Sequence, residues 1–301
     1  MTDGTDPDTP PPANRRPYRV AVAQVAPTLG NLERNLAMQL AQVEAARAAG
    51  ADLLVFPELS LTGYYLRDQV PEVAQPVGSP LLKGVREAAG EMAVIFGFVE
   101  ESPDFRFYNA AMYSEPGRTF VHRKVYLPTY GMFDEGRYFA AGRRIRAFDT
   151  RFGRLGLLIC EDAWHLSSGV VLQADRIDGL ILVANSPGRG VRDAVLSSRK
   201  NWELVSRTFA SFLGVPTVFA NRVGYEDGVC FYGASAVVSP LGDLLAEAPE
   251  LDEALIVADI DPVQTRQHRI LAPLDRDERL DITLAELGRI HDGRYRDAAQ
   301  R

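Results

Sequence analysis

The sequence predicts an α/β protein in which two packed sheets carry helices on their outer sides. Three observations lead there. Short runs rich in Val, Ile, Leu, Phe and Tyr recur from Tyr18 to Ile260. Helical apolar spacing fills several of the gaps between them. In the middle of the chain, strands follow one another with no helix between, which suits antiparallel pairing inside an otherwise alternating pattern.

Strands are expected over 18–25, 51–56, 92–99, 108–113, 119–125, 155–160, 180–184, 216–220, 234–238 and 255–260. After the first strand, Asn31 can cap a helix whose Leu32, Leu36, Leu40 and Val43 share one face, and Gly50 follows its end. A longer helix is expected over 190–213, with Trp202, Val205, Phe209 and Phe212 spaced by three and four, stopped by Gly214 and Pro216. These apolar stripes read as core. Residues 1–16 are rich in Pro, Asp and Thr and lack an apolar stretch, so a disordered tail is expected there rather than a signal peptide or a membrane span. The main domain is expected over 17–275. Charged residues crowd the chain beyond Asp261, and 276–301 reads as a C-terminal arm, either solvated or lying at a subunit interface.

Composition narrows the class. With 301 residues, 46% hydrophobic, the chain can bury a large core. A net charge of -7, without basic runs interleaved with aromatics, gives no general attraction to nucleic acid or anionic membranes, and neither is an expected partner. Cys160 and Cys230 make no disulfide framework, and a reducing cytoplasm is the expected location. His122, His165, His268 and His291 are scattered, so no metal is expected. No cofactor is expected either, because neither G-x-x-x-x-G-K-[ST] nor G-x-G-x-x-G is found. Gly233-Ala234-Ser235-Ala236-Val237 lacks the second glycine of a serine elbow.

The reactive candidates stand at strand ends. Cys160 closes the apolar run Leu155-Gly156-Leu157-Leu158-Ile159 and is followed by Glu161-Asp162-Ala163-Trp164, an unusual context for a thiol kept only for packing. Pro57 stops the second expected strand and leaves Glu58 at its C-terminal edge, where ligands bind in open α/β sheets. An alternating strand carries Lys124 into a loop punctuated by Pro128 and Gly131 that ends in Glu135. Cys230 has no acidic pair beside it and reads as structural.

The segments FPELSLTGY, RKVYLPTYGMFDEGRYF and LICEDAW together resemble the Glu-Lys-Cys signature of the nitrilase superfamily of carbon-nitrogen hydrolases, in the order that superfamily uses and over roughly residues 18–275. Their surroundings look most like the glutaminase domain of glutamine-dependent NAD synthetases. The resemblance implies a four-layer α-β-β-α sandwich, pairing of two copies through a helical face, and an auxiliary role for Glu135, which matches the superfamily's second glutamate. As a loop acid, Glu135 could equally be a surface group.

Amide hydrolysis needs an activated nucleophile, a charge sink for the oxyanion and a proton for the leaving nitrogen. Cys160 is the expected nucleophile, Glu58 the base and then the acid, and Lys124 the cation that favours the thiolate and the oxyanion. Tyr64, Phe133, Glu161 and Trp164 flank these groups in sequence and are the expected pocket walls, with Ser186 near the same edge. The expected reaction is cofactor-independent hydrolysis of a small-molecule carboxamide to acid and ammonia through a cysteine thioester. Three alternatives stay open: a nitrile, an N-carbamoyl amide, or a glutaminase subunit that supplies ammonia to a partner. No SGG-type pyrophosphate motif is found, and a free-standing amidase is the favoured expectation, as a homodimer or higher homo-oligomer.

Overall fold

In the computed structural model the described residues are 16–192 and 195–299. The expected N-terminal tail therefore lies, but for Arg16, outside them. The strands in chain order are β1 (Tyr18–Gln24), β2 (Leu53–Val55), β3 (Ala93–Glu101), β4 (Phe107–Glu115), β5 (Arg118–Arg123), β6 (Phe148–Thr150), β7 (Gly153–Ile159), β8 (Gly179–Ala184), β9 (Val191–Arg192), β10 (Val195–Leu196), β11 (Thr217–Asn221), β12 (Val223–Glu226), β13 (Val229–Tyr232), β14 (Ala236–Val238), β15 (Leu244–Glu247) and β16 (Ala254–Ile260). One six-stranded sheet has the order β16-β1-β2-β3-β4-β5, and a second has the order β15-β14-β11-β8-β7-β6.

The first sheet is parallel through β1, β2 and β3 and antiparallel at β16, β4 and β5. The second is parallel through β7, β8 and β11 and antiparallel at β6, β14 and β15. Because β4 reverses direction and β5 reverses it again, β5 runs the same way as β2 and β3. The C-terminal ends of β2 and β5 therefore open on the same edge.

Three apolar clusters define the layers. Val20, Val22, Leu53, Ile95 and Tyr113 of the first sheet meet Leu155, Leu157, Ile159, Ile181 and Val218 of the second, which makes the inter-sheet core. The opposite face of the first sheet, with Ala21, Leu54, Val94 and Phe96, packs against Val43 and Ala46 of the helix Leu32–Ala48 and Leu82 and Val85 of the helix Pro80–Ala89. The outer face of the second, with Leu158, Leu180 and Leu182, packs against Leu172 of the helix Leu166–Ala174 and Trp202 and Phe209 of the helix Ser197–Leu213. This is a four-layer α-β-β-α sandwich, as the sequence resemblance implied. Alternate residues of each inner strand face opposite layers, so strands covered on both sides read as continuous apolar runs.

Two helix expectations need correction. Asn31 does cap the first helix, its side chain accepting from the Arg34 N–H at 3.0 Å, but the fully buried positions are Asn35, Gln39, Val43 and Ala46, while Leu32, Leu36 and Leu40 are only partly covered. The buried polar pair serves the neighbouring loop: Asn35 donates to Thr28 O and Leu61 O, and Gln39 to Ser60 Oγ. The longer helix starts at Ser197 rather than Gly190, with Val191–Arg192 and Val195–Leu196 paired before it as β9 and β10, and Phe212 is 65% exposed rather than core. Gly214 ends that helix in the left-handed conformation with φ 63°. The expected C-terminal arm contains a helix, Leu280–Ala299.

Candidate active site

Glu58 owes its position to the early end of β2. Pro57 has no N–H to extend the ladder, and the chain turns across the face of β3 at Gly97, where any Cβ would run into the backbone of Leu59. The turn delivers Glu58 into full burial. Its Oε1 accepts from Asn109 Nδ2 at 2.7 Å and Lys124 Nζ at 2.8 Å, and its Oε2 accepts from the Asn185 N–H at 2.7 Å. Three donors on one carboxylate fix its plane.

Lys124 follows β5 directly and is fully buried. Its N–H donates to Asn109 O at 2.8 Å and its carbonyl accepts from the Gly142 N–H at 2.7 Å. Besides Glu58, its ammonium donates to Glu135 Oε1 at 2.6 Å. Burial works against the Lys124 charge, but Glu135, Glu58 and Cys160 outweigh it, so the ammonium is held well above its ordinary value. Burial pushes the Glu135 carboxyl up to about 7, against the pull of Lys124. Glu135 is buried at the start of the short helix Glu135–Tyr138 and is therefore not a surface acid. Tyr64 donates its hydroxyl to Glu135 Oε1 at 2.6 Å, and burial, then Glu135, raise the phenol well above its usual range.

Cys160 stands where β7 passes into the tight turn Cys160–Trp164, with φ +46°, a left-handed conformation that is costly for a residue with a side chain. Asp162 holds that turn. Its Oδ2 accepts from the Ile159 N–H at 3.1 Å and stands 2.8 Å from His122 Nε2; its Oδ1 accepts from the N–H groups of Val125 at 2.9 Å and Tyr126 at 3.0 Å. One fully buried carboxylate thereby clamps the nucleophile turn to the residues that follow Lys124. Burial opposes its charge, but the His122 hydrogen bond and the backbone donors keep its pKa below the ordinary value. Burial raises the Cys160 thiol well above its usual range, Glu58 raises it further and Lys124 pulls the other way. At rest it is a neutral thiol within electrostatic reach of Glu58, Lys124 and Glu135.

Cys160 opens on a cavity of about 370 Å³. Phe133, Glu161, Trp164 and Ser186 line it, as expected from sequence, together with Tyr130 and Arg189, which sequence reasoning missed. Tyr130 donates its hydroxyl to the Glu161 carboxylate, 2.9 Å from Oε2, and the Arg189 guanidinium lies 4.9 Å from the centre of the Phe133 ring. Tyr64 is not a wall of this cavity; it lies behind it as the partner of Glu135. Ser186 is oriented through its N–H, which donates to Asn221 Oδ1 at 2.9 Å. The sequence did carry a signal for Asn109, a lone amide in the apolar stretch of β4, and for Asp162, two residues after the nucleophile candidate. Among the described residues, no three His, Cys, Asp or Glu side chains form a cluster that could hold a metal ion, and no helix is long and apolar enough to cross a membrane.

These features define an enzyme class. The sequence matches the carbon-nitrogen hydrolase family over residues 19–270, and the chain belongs to that family. It is 29% identical over 258 residues to the glutamine-dependent NAD(+) synthetase of Acinetobacter baylyi, a match that covers 84% of this chain and 46% of that protein. With N-carbamoylputrescine amidase from Arabidopsis thaliana it shares 28% identity over 271 residues, covering 84% of this chain and 89% of the relative. The crystal structure of a carbon-nitrogen hydrolase from Helicobacter pylori shares the fold, with a TM-score of 0.77 at 24% identity over 90% of this chain and 99% of that one. The chain thus spans less than half the length of the NAD(+) synthetase it matches and most of the length of the amidase.

Proposed function

We propose that the chain hydrolyses the carboxamide of a small molecule to a carboxylic acid and ammonia through a thioester on Cys160. One observation carries this reading: a buried Glu58–Lys124–Glu135 chain lies beside a cysteine held at φ +46° on the wall of a cavity of ligand size. Because the resting thiol is neutral, it needs a base at the moment of attack. Glu58 takes the thiol proton as sulfur bonds to the carbonyl carbon. The oxyanion is met by the Lys124 ammonium and the N–H that follows Cys160. Glu58 returns the proton to the leaving nitrogen, the carbon-nitrogen bond breaks and ammonia departs. Glu58 then takes a proton from water as its oxygen attacks the thioester, and the acid leaves with the thiol restored. Glu135 Oε2, a buried acceptor that receives no hydrogen bond among the described residues, is available to the substrate N–H.

The opposite charges of Glu161 and Arg189 in the cavity wall support a substrate with a zwitterionic end, and the NAD(+) synthetase relatives are named for glutamine, so glutamine is the first amide to test. An N-carbamoyl amide is the second reading, favoured by the near full-length match to N-carbamoylputrescine amidase. Ammonia release from glutamine, aliphatic amides, N-carbamoyl amines and nitriles, with mass spectrometry after acid quench, tests both. The expected result is ammonia from an amide and an acyl adduct that Cys160→Ala abolishes. Turnover of nitriles alone, or undiminished turnover by Cys160→Ala, overturns the proposal. A reduced Cys160 fits a cytoplasmic setting. Pairing of two copies is supported by exposed Leu166 and Val170 on the helix Leu166–Ala174 and Leu204 and Phe212 on the helix Ser197–Leu213; sedimentation at several concentrations should show a dimer, and a strict monomer refutes it.

A further inference from the structure

A second cavity, of about 510 Å³, lies along β5, the strand that delivers Lys124. Arg123, Arg143, Arg144 and Arg146 line it against one carboxylate, Glu100. That carboxylate is already consumed: Arg123 donates to Glu100 Oε2 at 2.7 Å through Nε and to Oε1 at 2.6 Å through Nη2, and its guanidinium lies 4.0 Å from the centre of the Tyr108 ring. Arg143, Arg144 and Arg146 are exposed, and none pairs with a carboxylate among the described residues. In this chain of net charge -7, Arg151, Arg154, Arg199 and Arg269 by contrast each stand within ion-pair distance of a carboxylate.

The segment bearing the three arginines is anchored at both ends. The Gly142 N–H donates to Lys124 O at 2.7 Å, and a Cβ on Gly142 would collide with the Arg123 carbonyl. The Ala147 N–H donates to Asp175 Oδ2 at 2.7 Å. Ile145 and Ala147 pack against the outer core, which leaves Arg144 and Arg146 on the other side. Unpaired guanidiniums on an anchored backbone, around a cavity in the size range of small-molecule sites, suit an oxyanion with several acceptor oxygens on one centre.

We propose that this cavity is a binding site for a phosphate-bearing small molecule, distinct from the cavity of Cys160. The inference is independent of the amidase reading, since it is tested by binding. Titration calorimetry of the full chain with inorganic phosphate, inorganic pyrophosphate, AMP and ATP should show saturable binding by at least one organic phosphate or pyrophosphate, weakening as salt rises. The variant R143Q/R144Q/R146Q, altered only at exposed positions, should keep its melting temperature and bind about tenfold more weakly or worse. Should the triple variant fold poorly, Arg144→Gln alone gives a smaller loss in the same direction. Absence of saturable binding, or equal binding by wild type and variants, overturns the proposal. Binding of an acidic peptide or an RNA oligonucleotide through these arginines, without binding of the phosphates, also overturns it.

Discussion

Glu135 is the residue whose protonation state the fold alters most consequentially. Its carboxyl is raised from an ordinary 4.5 to about 7, by burial first and by Glu58 in addition. Between those two pH values the folded protein holds a proton there that the unfolded chain has released, so this group's contribution to stability is full below about 4.5 and is lost as pH rises through 7. Urea midpoints of wild type should therefore fall across that window, whereas Glu135→Gln should remove this share of the slope; identical slopes would refute the assignment. The same substitution keeps an oxygen for Tyr64 and Lys124 but removes one of the two carboxylates that hold the ammonium. A fall of about a hundredfold in kcat is expected, read by ammonia release. Glu58, Lys124 and Cys160 were legible in the sequence because each stands at or just beyond the end of an expected strand. Asn109 and Asp162 were not singled out, because their roles arise from pairing across strands far apart in the chain, and sequence spacing does not report that.

At the scale of the element, the turn Cys160–Trp164 is tied to its surroundings by Asp162. Three backbone donors and His122 converge on that carboxylate. Asp162→Ala would leave these groups buried and unpaired, at a cost of about 3 kcal/mol or more. Chemical denaturation should show that loss, together with reduced labelling specificity at Cys160; a change below about 0.5 kcal/mol, as for a surface site, would refute the clamp. Gly97 acts similarly on the Glu58 turn. Adding a methyl group drives it into the Leu59 backbone, so Gly97→Ala is expected to cost about 1–3 kcal/mol and to lower kcat by displacing Glu58. Element existence was legible wherever apolar periodicity was long, as in the helix Leu32–Ala48 and most strands of both sheets, whereas the short β6 and the largely exposed β15 of the second sheet were not expected. Boundaries failed where tertiary contacts decide them: Phe212 fits the apolar spacing of its helix but emerges on the outer surface, and β9 and β10 precede the helix where the sequence reading placed about two more turns.

For the molecule as a whole, the open question is what keeps the ends of two separate sheets in register around the candidate site. Part of the answer is a buried ion pair that no motif announced. Arg222, just past β11, donates through Nη1 to Glu226 Oε2 at 2.6 Å and lies with its guanidinium 4.3 Å from the centre of the Phe231 ring. Its Nη2 donates to Pro27 O at 3.2 Å, reaching the segment that follows β1. Glu226 in turn accepts from the N–H groups of Tyr64 at 2.9 Å and Tyr65 at 2.6 Å, and Gly63 at φ +80° leaves room for the carboxylate, since a Cβ there would stand 2.8 Å from Glu226 Oε2. The pair therefore links the second sheet to the loop whose tyrosine holds Glu135. Removing one member leaves the other charge buried, so Glu226→Ala should cost about 3–5 kcal/mol. Arg222→Met should cost a comparable amount, and the double variant should cost clearly less than the sum of the singles, because the stranded charge is then gone. Full additivity in urea denaturation would refute a direct pair. If the link also sets Tyr64, either single variant that still folds should show a lower kcat than wild type at saturating amide, an effect that a role confined to stability would not produce.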